Sequence, residues 1–141
     1  MKRFYLATIL SFLFSYHGFG QTQMKMNKQA SAQDEKADDK LTAAYKKILK
    51  IYKSDTLFIK NLRTAENAWL RYRDYQVKAR FPDYKESPYG SMLPMCVSEY
   101  SKQLTEDHRR ELEEWLVGIE EGDCVSSIKP KDELPAYTPV R

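Results

Sequence analysis

The chain has 141 residues, 42% of them hydrophobic and 30% charged, the size and mixture of one globular domain. Its formal net charge is only +3, and it has no basic arm or stacking platform, so nucleic acid is not an expected partner. Two cysteines and two histidines give no metal-ligand spacing, and no Gly-rich phosphate loop, G-x-S-x-G or nucleophile–base pair occurs; neither a cofactor nor catalysis is expected.

The first twenty residues read as a signal peptide. Lys2 and Arg3 precede a mostly apolar run, Phe4 to Ser15, and Gly18-Phe19-Gly20 puts small residues at the −3 and −1 positions before Gln21. That run falls short of the ~20 residues a membrane helix needs. The first cysteine is Cys96, so none stands at the cleavage site to carry a lipid. The expectation is an exported, soluble protein, periplasmic or secreted, with no membrane span and no lipid anchor.

Residues 21–33 are polar and are expected to be flexible. From Asp34 apolar positions recur every three or four residues: Leu41, Ala44/Tyr45, Ile48, Ile51/Tyr52. "KSDT" (53–56) interrupts that helix, and Ser54 or Asp55 suits the N-cap of the next. The second helix carries Phe58, Leu62, Ala65, Trp69, Tyr72 and Gln76 on one stripe and reaches about Arg80. Trp69 and Tyr72 are expected in the core, with Arg71 and Asp74 turned away from it. Arg73 lies on the flank of the stripe, in line with Glu66 and Asn67. Such an edge arginine lays its stem on the core and pairs its head with a carboxylate or loop carbonyls; contact with a partner is the alternative.

"FPDYKESPYGSMLP" (81–94), with three prolines and a glycine, is a loop. A third helical stripe follows: Val97, Tyr100, Leu104, His108, Leu112, Trp115/Leu116 and Ile119, with Gly122 as its C-cap. The tail from Cys124 contains Pro130, Pro135 and Pro139 and has no periodicity, so it reads as extended or loose. The fold class is all-α, a small bundle of three main helices over 34–124 with an irregular tail over 125–141.

Charge is unevenly spread. Met24 to Arg80 holds 14 Lys/Arg against 7 Asp/Glu, whereas Glu106 to Asp123 holds 2 against 8. Two oppositely charged helical regions within one fold account for this; an acidic surface for a basic partner is the sharper alternative. The glutamates of the acidic stretch, Glu113 and Glu114 among them, read as a solvated face rather than the facing pair of carboxylates a glycosidase needs. His108 reads as a packed or edge residue. Binding is the better class, and three surfaces compete for it: the loop around Tyr89 and Ser91, where an aromatic on a turn suits an enzyme cleft; the acidic stretch; and the tail "KPKDELPAYTPVR" (129–141).

"ADDKLTAAYKKIL" (37–49), "LRTAENAWLRYRD" (62–74), "GSMLPMC" (90–96) and "LTEDHRRELEEW" (104–115) together resemble the lysozyme inhibitor LprI-like N-terminal domain family. Its Asp-x-x-Leu-Asn-x-x-Tyr pattern falls on Asp38, Leu41, Thr42 and Tyr45. Its Leu-Arg-x-Ala-Gln-x-x-Trp-x-x-x-Arg-Asp pattern falls on Leu62, Arg63, Ala65, Glu66, Trp69, Arg73 and Asp74. Thr42, Glu66, Val77 and His108 depart from it, standing for Asn, Gln, a bridging Cys and Arg. The resemblance implies an exported helical domain that binds a protein, a lysozyme being the candidate; a structural or envelope-associated module without inhibitory activity is the alternative. Oligomeric state is not legible.

Two cysteines in an exported chain suggest one bridge, Cys96–Cys124, contributing about 3.5 kcal/mol. An unbroken helix over 96–120 would separate its ends by ~36 Å, against the ~7 Å between Cα atoms that a bridge tolerates. The bridge therefore requires a break between Ser101 and Thr105.

Overall fold

A computed structural model describes residues 2–120, 122–124 and 126–138, with side chains from Thr22 onward. Three helices form it: α1 (Lys2–Ile51), α2 (Thr56–Arg80) and α3 (Leu93–Val117), with 3-10 turns at Gly90–Met92 and Lys131–Glu133. Among the described residues there is no strand, only an isolated parallel bridge between Ile119 and Pro130.

Alanines seven apart explain how α1 packs. Ala30, Ala37 and Ala44 are all buried, as are Leu41 and Ile48 on the same side. A seven-residue repeat keeps one seam facing a partner helix, and alanine at every seventh position lets that partner lie close. The partner is α3, which runs parallel to α1: Asn27 bonds Ser91, Thr105 bonds Asp38 and Tyr52 bonds Trp115. From its side α3 buries Thr105, Arg109, Leu112, Glu113 and Leu116. The core is Leu41, Ala44, Ile48, Tyr52, Phe58, Leu62, Leu112 and Leu116.

α2 runs antiparallel to both and touches them along a narrow line. Asp55 caps its start by accepting from the Phe58 N–H at 2.9 Å. Only Phe58 and Leu62 of α2 are buried; Trp69 packs partly against the core. Tyr72, expected in the core, is 51% exposed. It stands about 60° round the helix from Trp69, too far for so thin a contact to cover. Arg71 and Asp74 point outward as expected.

Four further expectations are corrected. The segment 21–33 is helical in its described part and tied down, with Ala30 buried and Asn27 and Gln33 bonded to Ser91 and Lys102. α3 is unbroken through Leu104, because between Pro94 in its first turn and Gly118 at its end it contains no helix breaker. The rise of ~32 Å from Cys96 to Val117 carries the chain away from Cys96, and Cys96 and Cys124 are free thiols, half-buried and exposed. α3 ends at Gly118 (φ +83°), not Gly122. A Cβ on Gly118 would lie 2.9 Å from the Leu134 side chain and from the Lys129 carbonyl oxygen, so only glycine fits there.

The fourth is the tail, which is irregular but docked. The Tyr52 hydroxyl, on a residue 1% exposed, donates to the Trp115 carbonyl (3.1 Å) and accepts from the Lys129 N–H (3.0 Å). Leu134 and Tyr137 pack against the core, and the Lys47 ammonium sits over the Tyr137 ring. The predicted signal peptide at 1–20 falls on residues whose side chains lie outside the described set. Among the described residues no helix is long and apolar enough to cross a membrane.

Candidate functional site

Two polar clusters pin the structure together, the first between the helices and the second between α3 and the tail. In the first, Arg73 on α2 donates to the Asp38 carboxylate at 2.5 Å and to the Thr105 hydroxyl at 3.0 Å, and that hydroxyl lies 3.2 Å from the same Asp38 oxygen. Thr105 is fully buried. The Arg73 guanidinium also lies 5.1 Å from the Trp69 ring centre, and the Trp69 ring stacks on His108 with centres 4.1 Å apart and planes 10° from parallel. His108 Nε2 lies 2.9 Å from Glu66 and Nδ1 lies 3.2 Å from Glu111. Arg73 thus takes the carboxylate pairing expected of an edge arginine, and His108 is packed, as its place on the stripe implied.

In the second cluster Arg109 binds Glu106 (2.8 and 3.0 Å) and Glu113 (2.5 Å), and Tyr137 of the tail donates to Glu113 at 2.6 Å. Burial, the bond to Glu113 and its negative charge together push the Tyr137 hydroxyl up to about 12. Burial alone would lower the Arg109 pKa, but the bonds to Glu106 and Glu113 outweigh it and raise it. Glu113, expected on a solvated face, is 5% exposed and holds the tail down. Deeper along the α1–α3 seam, burial raises the Asp34 carboxyl, which the Ser101 side chain partly offsets.

Beside the first cluster a groove of about 650 Å³ opens between α1 and α2. One wall is the α1 stripe of Leu41, Tyr45, Lys46 and Leu49; the facing wall is Arg63, Glu66, Asn67 and Leu70 of α2. The Asp38–Arg73 pair closes one end. Burial raises the Tyr45 hydroxyl against the lowering effect of Arg63. Of the charged groups lining the groove, Asp38, Arg73 and Glu66 are engaged in the cluster just described. Lys46 and Arg63 have no anionic partner among the described residues. A second cavity of about 380 Å³ lies against Phe58, Leu62 and Trp115, where α2 begins. Among the described residues no group of His, Cys, Asp or Glu is placed to hold a metal ion.

The residues expected to bind do not come together. Tyr89 is half-buried, edge-on to Phe81 (5.8 Å) and stacked on Tyr84 (6.3 Å); Tyr84 is the exposed member of that set. Ser91 is exposed, and its carbonyl oxygen accepts from the Asn27 side chain at 3.0 Å. Glu114 is exposed on α3. What does converge is part of the set that carries the sequence resemblance: Asp38, Leu41, Thr42, Tyr45, Arg63, Glu66 and Arg73 line the one groove, whereas Leu62, Ala65, Trp69 and Asp74 do not. A family model described as lysozyme inhibitor LprI matches residues 18–112, a stretch that contains the groove and all of the first cluster. No curated protein and no solved structure matches the chain.

Proposed function

Because this chain belongs to the lysozyme inhibitor LprI family, we propose that it is an exported, non-catalytic binding domain that inhibits a glycan-cleaving enzyme such as a lysozyme. The observation that carries this reading is the match over 18–112, a stretch that holds the groove and the cluster beside it. Its buried and part-buried carboxylates support the absence of catalysis. Glu66 faces His108, and Glu113 is held by Arg109 and Tyr137, so neither offers the free partner that glycoside hydrolysis needs. Exposed apolar side chains on α2, Tyr72 and Tyr75 near one another and Leu57 at the helix start, all more than half exposed, favour a second reading: a protein-interaction module without inhibitory activity.

The two separate in a lysozyme assay on suspended bacterial cell walls, titrated with the purified protein. The inhibitory reading expects a dose-dependent loss of clearing rate. An unchanged rate at tens of micromolar protein, against several lysozyme types, leaves only the interaction module.

A further inference from the structure

We propose that the groove between α1 and α2 is the docking site for an acidic amphipathic helix of a partner protein. Shape is the first argument. From Asp38 to Leu49 the α1 wall runs ~16 Å, three helical turns, with α2 antiparallel to it. Two facing helix stripes leave the kind of furrow into which a further helix lays its i, i+3, i+4 and i+7 side chains.

The lining is the second. Leu41, Leu49 and Leu70 are aliphatic and Tyr45 is the one aromatic. Interdigitating apolar side chains suit that surface, whereas a sugar ring needs flat aromatic faces to stack on.

Charge decides the sign of the partner. Asp38 and Glu66 are already paired within the protein, while Lys46 on the α1 wall and Arg63 on the α2 wall have no anionic partners among the described residues. A helix settling there strips water from both cations, which is costly unless it brings carboxylates to meet them. The occupant is therefore apolar along one stripe and acidic on both flanks of it. This site does not depend on lysozyme inhibition, and a negative lysozyme assay leaves it standing.

Fluorescence anisotropy of the full chain with two labelled peptides of about 14 residues, four helical turns, tests it. One carries a leucine stripe flanked by glutamates; in the other, lysines replace the glutamates. The protein is used as wild type and as the Lys46→Glu/Arg63→Glu variant, whose circular dichroism and melting must match wild type, both positions being exposed. The proposal expects the acidic peptide to bind wild type, weaken about tenfold or more on the variant and weaken with added salt. The lysine peptide should show the opposite preference. Equal binding of the acidic peptide to both proteins overturns the proposal, as does its failure to bind wild type. So does saturable binding of an anionic cell-wall glycan fragment in its place.

Discussion

Replacing Tyr52 by phenylalanine removes one oxygen atom and two hydrogen bonds. That hydroxyl donates to the Trp115 carbonyl and accepts from the Lys129 N–H, on a side chain 1% exposed. Among the described residues neither backbone group has another partner. The Trp115 carbonyl sits in the last turn of α3, where the next amides bond elsewhere, Gly118 to Glu114 and Ile119 to Lys129. Two net bonds at about 1 kcal/mol each, with the remaining penalty of a part-buried carbonyl, give a loss of about 2–3 kcal/mol. For a chain of this size the melting temperature should fall by about 8–12 °C. Calorimetry reads that fall, and limited trypsin digestion reads its cause: cleavage after Lys131, the tail lysine not followed by proline, should accelerate well before the helices melt. A melting temperature within about 2 °C of wild type, with an unchanged tail cleavage rate, would refute the assignment of Tyr52 as the link between core and tail.

Tyr137→Phe should cost about 1 kcal/mol at neutral pH by removing the bond to Glu113. Tyr137 is raised from its ordinary 10.0 to about 12 when folded, so its contribution is whole below pH 10. It declines from there towards 12, where the unfolded chain loses the proton first. Tyr45 and Tyr52 are raised as well, so the comparison is made between wild type and variant: their urea midpoints should converge between pH 10 and 12. Trp69→Ala, which removes the stack on His108, should cost about 2–3 kcal/mol, whereas Tyr72→Ala should stay within about 0.5 kcal/mol. Equal urea midpoints for those two variants would mean that the buried face of α2 is misplaced. Thiol labelling of the denatured, unreduced protein should find both Cys96 and Cys124 reactive; no reactive thiol would restore the bridge.

Legibility followed the range of the interactions. The start and end of α2 and the Asp55 cap were readable because apolar spacing, a capping carboxylate and a run of prolines act within a few residues. Arg73 was readable because an arginine beside an apolar stripe has few ways to satisfy its head group. Thr105, Arg109 and Glu113 were missed because a search for apolar periodicity skips polar residues, even where they face an alanine seam. The signal was there in the spacing of Ala30, Ala37 and Ala44, which leaves room for polar side chains opposite. The tail was missed because its contacts are remote: Tyr137 meets Glu113 across 24 residues and Lys129 meets Tyr52 across 77. The cysteine bridge failed because the rule for exported chains outweighed a helix with no breaker inside it. Of the groove, the motif residues were visible, but not that they share one cavity.

The parallel pairing of α1 with α3 has a kinetic consequence. Adjacent helices meet as soon as both are made, yet the closest pair here is joined across the whole of α2 and the loop after it. The Thr105–Asp38 bond spans 67 residues and the tail closure spans 77. The entropy of closing such large loops is lost before the seam repays any of it. A chain emerging from its N-terminus first can form the α1–α2 hairpin early, but its alanine seam stays uncovered until α3 is complete. The last step waits for residues beyond Pro130. Folding should therefore be slower than a bundle of three helices suggests, with tail docking last in the sequence of events.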